Sequence, residues 1–444
     1  MKNVILSLVK QGKYTEARKE IVNINTVDIA ELFEDIEQIK LLIMFRMLPK
    51  NMASDVFSHL SSDLQKRIIT SMTDREAVSI LEELFLDDAI DLLEEMPANI
   101  VKKILINSNE ETRKLINQFL NYPEDSAGSL MTIEYVDLVK EMTVSQALNH
   151  IKETGVDKET IDTCYVLDNN RILEGVVSIR KLILNDDTKV IKDIMNTDVV
   201  SANTHDDQED IASLFKKYDY YVMPVVDNEH RLVGIVTIDD IIDVIDQEAT
   251  EDLQKMAAMQ PSEKAYLKTS ALALAKHRLP WLLLLMISAA FTGNIIKRFE
   301  SALQSVMILA SFIPMLMDTG GNAGSQSSTL IIRGLALGDM RTNDILKVLW
   351  KELRVSCIVG LILSSVNFLR IYLIERTDLL VSITVCFTLF FIVVLAKVVG
   401  GVLPIIAKKI KLDPAIMAGP LITTIVDAVA LTLYFTTATW LLGI

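Results

Sequence analysis

Residues 314–333 read Pro314-Met-Leu-Met-Asp318-Thr-Gly320-Gly321-Asn322-Ala-Gly324-Ser325-Gln326-Ser327-Ser328-Thr-Leu-Ile-Ile-Arg333. Apolar runs flank a centre made of Gly320, Gly321 and Gly324, the carboxylate of Asp318, and a run of amide and hydroxyl side chains. The whole sits inside a long hydrophobic stretch, 302–336. Glycines permit tight turns and close helix approach. Polar, non-helical backbone at membrane depth is tolerated only where it is buried in protein or lines water. The stretch therefore reads either as a broken membrane segment facing an aqueous path, interrupted over 318–324, or as a small-residue packing face.

Further apolar stretches surround it. Candidate spans fall at about 279–296, 302–336, 346–374, 379–406 and 415–442. Each offers the run of roughly 20 residues that a helix needs to cross a bilayer. Any one could be a core helix of a globular protein, but five in succession argue against that. Basic residues set the expected orientation. Arg333, Arg341, Lys347, Lys351 and Arg354 lie around the turn between spans two and three. Lys408, Lys409 and Lys411 lie between spans four and five. Both clusters belong on the side of the N-terminus by the positive-inside rule, which leaves the C-terminus outside. Lys297 and Arg298 in the first outer loop run against this. The start of the chain, Met1-Lys-Asn-Val, has no signal-peptide pattern, so a cytoplasmic N-terminus is expected.

Span five carries Gly419-Pro420-Leu-Ile-Thr423-Thr424-Ile-Val-Asp427. A carboxylate in the bilayer is costly and should face water or a partner. Thr423 and Thr424, four and three residues before Asp427, share its helix face. Pro420 extends that face and is expected to free a backbone carbonyl one turn earlier. These are hard oxygen ligands, suited to a Mg2+ that keeps most of its waters. The plainer reading is a neutral Asp bonding between helices.

The 444 residues are 50% hydrophobic yet carry a net charge of −15. The charge is segregated: residues 1–276 carry a net of −20, and the remainder +5. An acidic front argues against nucleic acid, whose phosphates need clustered Lys and Arg. It fits a divalent-cation binder or a well-solvated surface. The three cysteines, Cys164, Cys357 and Cys386, are too dispersed for a disulfide framework or zinc knuckle. There is no phosphate loop, nucleophile constellation or metal-ligand spacing of an enzyme.

The front contains a duplication. Tyr165-Val-Leu-Asp…Gly175-Val-Val-Ser178 recurs as Pro224-Val-Val-Asp…Gly234-Ile-Val-Thr237. The pairs Asp168/Asp227, Gly175/Gly234 and Ser178/Thr237 share one constant offset, which is the mark of a repeat. Strands and helices alternate in each copy, so 123–250 is expected to be an α/β pair, divided into about 123–186 and 187–250. Carboxylates Asp240, Asp243, Glu248 and Glu251 follow on a helix, and a connecting helix is expected over 251–276. Residues 1–122 show helical periodicity. Leu48-Pro49 and Met96-Pro97 each open a similar unit, suggesting an all-α superhelical repeat. Asp87, Asp88 and Asp91 cluster before the second Pro, where N-capping explains them as well as metal binding.

The duplicated region resembles the CBS-domain pair, a cytoplasmic regulatory module in which a Ser/Thr and a following Asp often hold an adenine nucleotide's ribose. The second copy has Thr237 and Asp240, whereas the first pairs Ser178 with Lys181. The resemblance implies Tyr165, Ser178, Arg180, Tyr220 and Thr237 as nucleotide contacts. Taken whole, the acidic helical domain, CBS pair, connecting helix and five-helix α transmembrane domain (277–444) resemble the MgtE family of magnesium channels. The supporting motifs are 314–333, Tyr122-Pro-Glu-Asp-Ser-Ala-Gly-Ser-Leu-Met131, and Asp413-Pro…Gly419-Pro-Leu…Thr424-Ile-Val-Asp427. Ser325 departs from the Asn frequent at its position, and Asp318 from a Gly. The resemblance implies a homodimer in the bilayer with a two-fold pore lined by Asp427, Asn322, Gly321, Ser325, Thr423, Thr424, Pro420 and Asp318. It implies Mg2+ sensing through Asp55, Asp87, Asp91, Glu209, Asp219, Asp240, Asp243, Glu248 and Glu251. A transporter coupled to H+ or Na+ remains the alternative to a channel.

Overall fold

The computed structural model describes residues 2–94, 96–262, 266–267 and 269–443. The chain forms two compact units, Met1–Val244 and Ile245–Ile444.

The first unit begins with short helices: α1 (Lys2–Lys10), α2 (Tyr14–Ile21), α3 (Thr26–Glu34), α4 (Gln38–Arg46), α5 (Lys50–Ser58), α6 (Ser62–Thr70), α7 (Asp74–Leu81), α8 (Leu86–Glu94), α9 (Ala98–Asn107) and α10 (Glu110–Phe119). Their ends follow local chemistry. Asn25 and Asn109 cap α3 and α10, and Thr73 forms a capping box with Glu76 on α7. Pro49 and Pro97 occupy the N-cap positions of α5 and α9, so each of these prolines does open a helix. Ile5, Phe33, Phe57, Ile90 and Phe119 belong to one buried core.

That core does not stop at residue 122. It continues into Ile211, Phe215, Val225 and Ile241 of the second repeat, so packing joins what the sequence divides. A short helix, α11 (Ala127–Leu130), forms the junction. A Cβ at Gly128 would lie 2.5 Å from the Tyr122 ring and 2.8 Å from the Thr204 carbonyl oxygen. Only a residue without a side chain fits there, which explains the glycine of this motif.

The duplication is structural. The first copy holds β1 (Val136–Leu138), α12 (Val144–Thr154), β2 (Thr163–Leu167), β3 (Leu173–Ser178), α13 (Ile179–Ile183) and α14 (Ile191–Ile194). The second holds β4 (Ala202–Asn203), α15 (Gln208–Tyr218), β5 (Val222–Val226), β6 (Leu232–Thr237) and α16 (Ile238–Met256). In each sheet the first strand is parallel to the second and the second antiparallel to the third. The copies join through backbone bonds from Leu173 N to His230 O (3.1 Å) and from Leu232 N to Arg171 O (2.9 Å). Tyr135, Tyr165, Leu173, Leu232 and Ile235 form a shared apolar layer.

In the second unit, α16 ends at Met256, and residues 257–262 are not helical. The connecting helix is therefore a continuation of the second repeat's last helix and stops well before residue 276; residues 263–265 and 268 lie outside the described residues. Then follow α17 (Ala271–Arg298), α18 (Glu300–Ser305), α19 (Ile313–Ala336), α20 (Ile345–Leu369), extended by a π turn over Arg370–Ile374, α21 (Leu379–Lys409) and α22 (Gly419–Leu442). Among the described residues, four helical stretches are long and apolar enough to cross a membrane: 271–298, 342–374, 379–409 and 419–442.

The remaining candidate span, 302–336, differs from its expectation. Its N-terminal part divides into α18 and a 3-10 segment over Met307–Phe312. Residues 318–324 are not a break but the interior of a continuous 24-residue helix, α19. At about 1.5 Å per residue that is about 36 Å, enough to cross the ~30 Å hydrocarbon layer. A continuous helix satisfies its own backbone, so the glycines are released for packing. Leu316, Ile392, Val393, Ile422, Val426 and Tyr434 build the core among α19, α21 and α22. By contrast α17 has no buried residue among those described, and α20 leaves Ile358, Leu361, Ile362 and Val366 exposed, as a lipid-facing surface would.

Candidate functional site

The spanning unit brings two polar faces together. On α22, Asp427 Oδ1 is buried and has no hydrogen-bond partner among the described residues. One turn earlier, Thr423 Oγ1 donates to Gly419 O (2.8 Å) and Thr424 Oγ1 to Pro420 O (2.9 Å). Both hydroxyl protons are committed, so both oxygens remain available only as acceptors, the polarity a cation requires. Pro420 lies in the first turn of α22, where a missing N–H costs nothing. It frees no carbonyl within the helix, contrary to the expectation; the carbonyls of Gly419 and Pro420 are the threonines' partners.

On α19, Asp318, Asn322 and Ser325 fall three and four residues apart and share one face. Asp318 and Asn322 are exposed and Ser325 is half-buried. Gly321 borders this stripe, and Gly320 and Gly324 lie further round the helix. A Cβ at Gly320 would lie 2.7 Å from Ile392, one at Gly324 2.7 Å from Ile422, and one at Gly321 2.8 Å from the Thr423 methyl. Gly321 is thus a contact surface between α19 and α22. Its missing side chain lets the α19 stripe lie beside Thr423 and Asp427, with Asp318 acting electrostatically on Asp427.

A second concentration of carboxylates lies in the first unit. Asp87 and Asp88 on α8 are grouped with Asp239 and Asp240 at the start of α16 and with Glu159, before β2. Burial, then repulsion from Asp240 and Asp88, pushes the Asp87 carboxyl well above the ordinary range. Burial, opposed by His59 and reinforced by Asp239, brings Asp88 to about 6. Asp240 rises to about 7 through burial and through Asp239, Asp91 and Asp88, despite accepting a 2.9 Å bond from Thr237 Oγ1. Glu159 also rises to about 7, from burial and from Asp239, Asp88 and Glu134, and its Oε2 is buried without a partner. The chemistry suits a cation, though among the described residues no three ligands converge with metal-binding geometry.

The remaining candidates do not all gather there. Asp91 acts on Asp240, whereas Asp55 and Asp243 are exposed elsewhere on α5 and α16. Glu209 and Asp219 stand at opposite ends of α15. The helical rise separates them by about 15 Å along its axis. Asp219 closes that helix in the left-handed conformation, at φ 54°. Glu248 and Glu251 lie further along α16. Glu251 shares Lys255 with Asp413, at 2.7 and 2.6 Å from Nζ. Burial disfavours the Lys255 charge, but these two bonds outweigh it and hold the ammonium above its usual range. Glu159, Glu134, Asp88 and Asp239 are the group members outside the expected sensor set. Glu159 sits in a loop with no periodic or motif signal.

For a nucleotide, the expected residues are dispersed in role. Tyr165 is fully buried, its hydroxyl unpartnered, with its ring edge-on to Tyr135. Ser178 caps α13 by accepting from Lys181 N, Arg180 is exposed, and Tyr220 stacks on Tyr218. Thr237 and Asp240 bond each other.

A helical domain packed onto a duplicated α/β module, followed by apolar helices that bury the Asp427 carboxylate, is the architecture of a membrane transporter of divalent cations. Comparison with known proteins agrees. Residues 313–437 match the family described as a divalent cation transporter, 24–125 the MgtE intracellular N domain, and 191–247 the CBS domain. The magnesium transporter MgtE of Thermus thermophilus is 38% identical over 98% of this chain and 97% of its own length. That of Bacillus subtilis is 35% identical over 98% and 96%. This chain belongs to the MgtE family, whose members are transporters and not enzymes. The crystal structure of the soluble part of a magnesium transporter shares the fold of the first unit (33% identity, TM-score 0.53, 56% of this chain, 98% of that one). So does that of the cytosolic domain of the Mg2+ channel MgtE in complex with ATP (36% identity, TM-score 0.53, 55% of this chain, 100% of that one).

Proposed function

We propose that this protein is a Mg2+-selective channel for magnesium uptake, closed by intracellular Mg2+ acting on its acidic cytoplasmic part. The observation that carries the reading is the unpartnered Asp427 oxygen beside the Asp318–Asn322–Ser325 stripe. A carboxylate at such depth needs water, a cation or another partner to meet it. The stripe is exposed in one chain, so a second copy placing its own Asp427 opposite would give two carboxylates, matching one hydrated divalent ion. Hydroxyl and amide groups reach such an ion through its water shell. The N-terminus is cytoplasmic and the C-terminus outside in this reading.

Gating rests on the acidic groups. Facing carboxylates on α8, the Glu159 loop and α16 repel one another when ionised. Mg2+ between them offsets that repulsion and holds α16 in place. Asp55, Asp91, Glu209, Asp219, Asp243, Glu248 and Glu251 serve the same end at further contacts, within or between chains. Moving a gate from mostly open to mostly closed takes about 5.5 kcal/mol of differential binding, within reach of several weak sites together. An adenine nucleotide at the second CBS copy would displace the Thr237–Asp240 bond, linking nucleotide to gate.

The test is Mg2+ influx into dye-loaded liposomes without an H+ or Na+ gradient. Wild type conducts, and Asp427→Asn loses flux by at least about tenfold, as removal of a buried charge partner predicts. Flux that appears only when a gradient is imposed would establish a coupled transporter instead. Equal flux in both proteins would make Asp427 structural.

A further inference from the structure

Two consecutive glycines of α21 serve two different helices. A Cβ on Gly400 would lie 2.2 Å from the Gly324 carbonyl oxygen, so here α19 and α21 meet backbone to backbone. A Cβ on Gly401 would lie 2.9 Å from Glu352 Cγ. Its absence makes room for an acidic side chain about two turns into α20. Through that notch the Glu352 carboxylate reaches α19 and accepts a hydrogen bond from Ser327 Oγ at 2.7 Å. Ser327 is 2% exposed. Buried Lys397 lies one turn from Gly401 on the same face of α21.

The arrangement answers a geometric need. A glycine-to-glycine contact fixes the distance between two helices but offers no side chain to fix their rotation. Ser327 lies two residues beyond Ser325, about 200° round the helix. A turn of α19 that moved Asn322 and Ser325 relative to Asp427 would therefore pull Ser327 from Glu352. We infer that Glu352 is a positioning residue for ion discrimination: its bond to Ser327 sets the rotation of α19 and so the aperture that the Asp318–Asn322–Ser325 stripe presents beside Asp427. The inference rests on the pore reading above. Glu352 itself faces the helix interface and acts through Ser327.

The full-length protein in liposomes provides the test, through the ratio of Mg2+ to Ca2+ influx. Ca2+ is larger and tolerates looser coordination, so a relaxed aperture lowers the ratio. Glu352→Ala and Ser327→Ala each lower it, by about tenfold, the scale of one hydrogen bond to a charged group. The double variant falls no further, because both changes break one bond. Glu352→Gln, whose amide oxygen still accepts from Ser327, keeps the wild-type ratio. Wild-type ratios in the alanine variants, additive effects, or a glutamine variant as relaxed as alanine would each overturn the inference. If Glu352→Ala does not assemble, Ser327→Ala and Glu352→Gln decide alone. Asp427→Asn, run alongside, separates the two failures. Full flux in that variant removes the pore reading, whereas lost flux there with unchanged ratios elsewhere removes only the role of Glu352.

Discussion

The acidic group around Asp240 and the polar stripe around Asp427 are both built on partly buried carboxylates, but they solve opposite problems. In the first unit several acids gather in one place, and their proton affinities rise because burial is reinforced by each neighbour's charge. In the spans Asp427, with Asp318 nearby, stands among threonines, glycines and an amide. Many weak, adjustable charges suit a sensor, whose binding must reverse with concentration. One charge in a fixed surround suits a conduit, where an ion must enter and leave.

The comparison breaks most readily on flux. On the proposed reading Asp427→Asn should stop Mg2+ influx, whereas Asp240→Asn should leave the open-state flux intact and weaken closure at millimolar internal Mg2+; single-channel recording distinguishes them. A variant of Asp240 with no open-state flux would erase the distinction.

A smaller effect concerns packing. Gly400→Ala places a methyl against the Gly324 backbone, which cannot yield as a side chain can. Overpacking of this kind costs about 1–3 kcal/mol, and melting of the detergent-solubilised protein should fall by several degrees.

Next comes pH. The carboxyls of Asp88, Asp240 and Glu159 sit at about 6, 7 and 7, above their unfolded values. Acids raised in this way bind more protons folded than unfolded. Their contribution is favourable at low pH and is lost as pH rises towards and through about 6–7. Without divalent ions, residues 1–244 should melt lower at pH 8 than at pH 5.5. Mg2+ should raise the melting temperature by more at pH 8, where the acids are ionised. Equal Mg2+ shifts at both pH values would show that these carboxylates do not hold the ion.

The smallest effect is at Lys255. Lys255→Met removes the cation that Glu251 and Asp413 share. The pair is partly exposed, so the loss should be about 1 kcal/mol or less, read as a modest salt-sensitive change in melting of the full chain.

Much of this was legible in the amino-acid order. The constant offset of the repeat, the proline-opened helices, four of the five apolar runs and Asp427 are local signals that became the elements or the buried acid they pointed to, whereas 302–336 divided. The Asp318–Gly324 segment reads as a break because glycine and polar residues lower helix propensity. It is helix because a membrane raises the penalty for leaving one. Pro420 yields no free carbonyl because a proline's consequence depends on whether it falls in a helix interior or its first turn. The acids Glu159 and Glu134 carry no pattern, and only folding puts Glu159 near α8 and Glu134 near Glu159.

Sequence by itself determined composition, segregation of charge, the repeat and the lengths of most spans, because periodicity and hydropathy act over a few turns of chain. Tertiary structure alone decided that Gly321 packs against Thr423, that the helical domain shares its core with the second repeat, and that Glu352 reaches Ser327 through the Gly401 notch. Those contacts join residues far apart in the chain. Their energies depend on close-packed distances that no local pattern encodes.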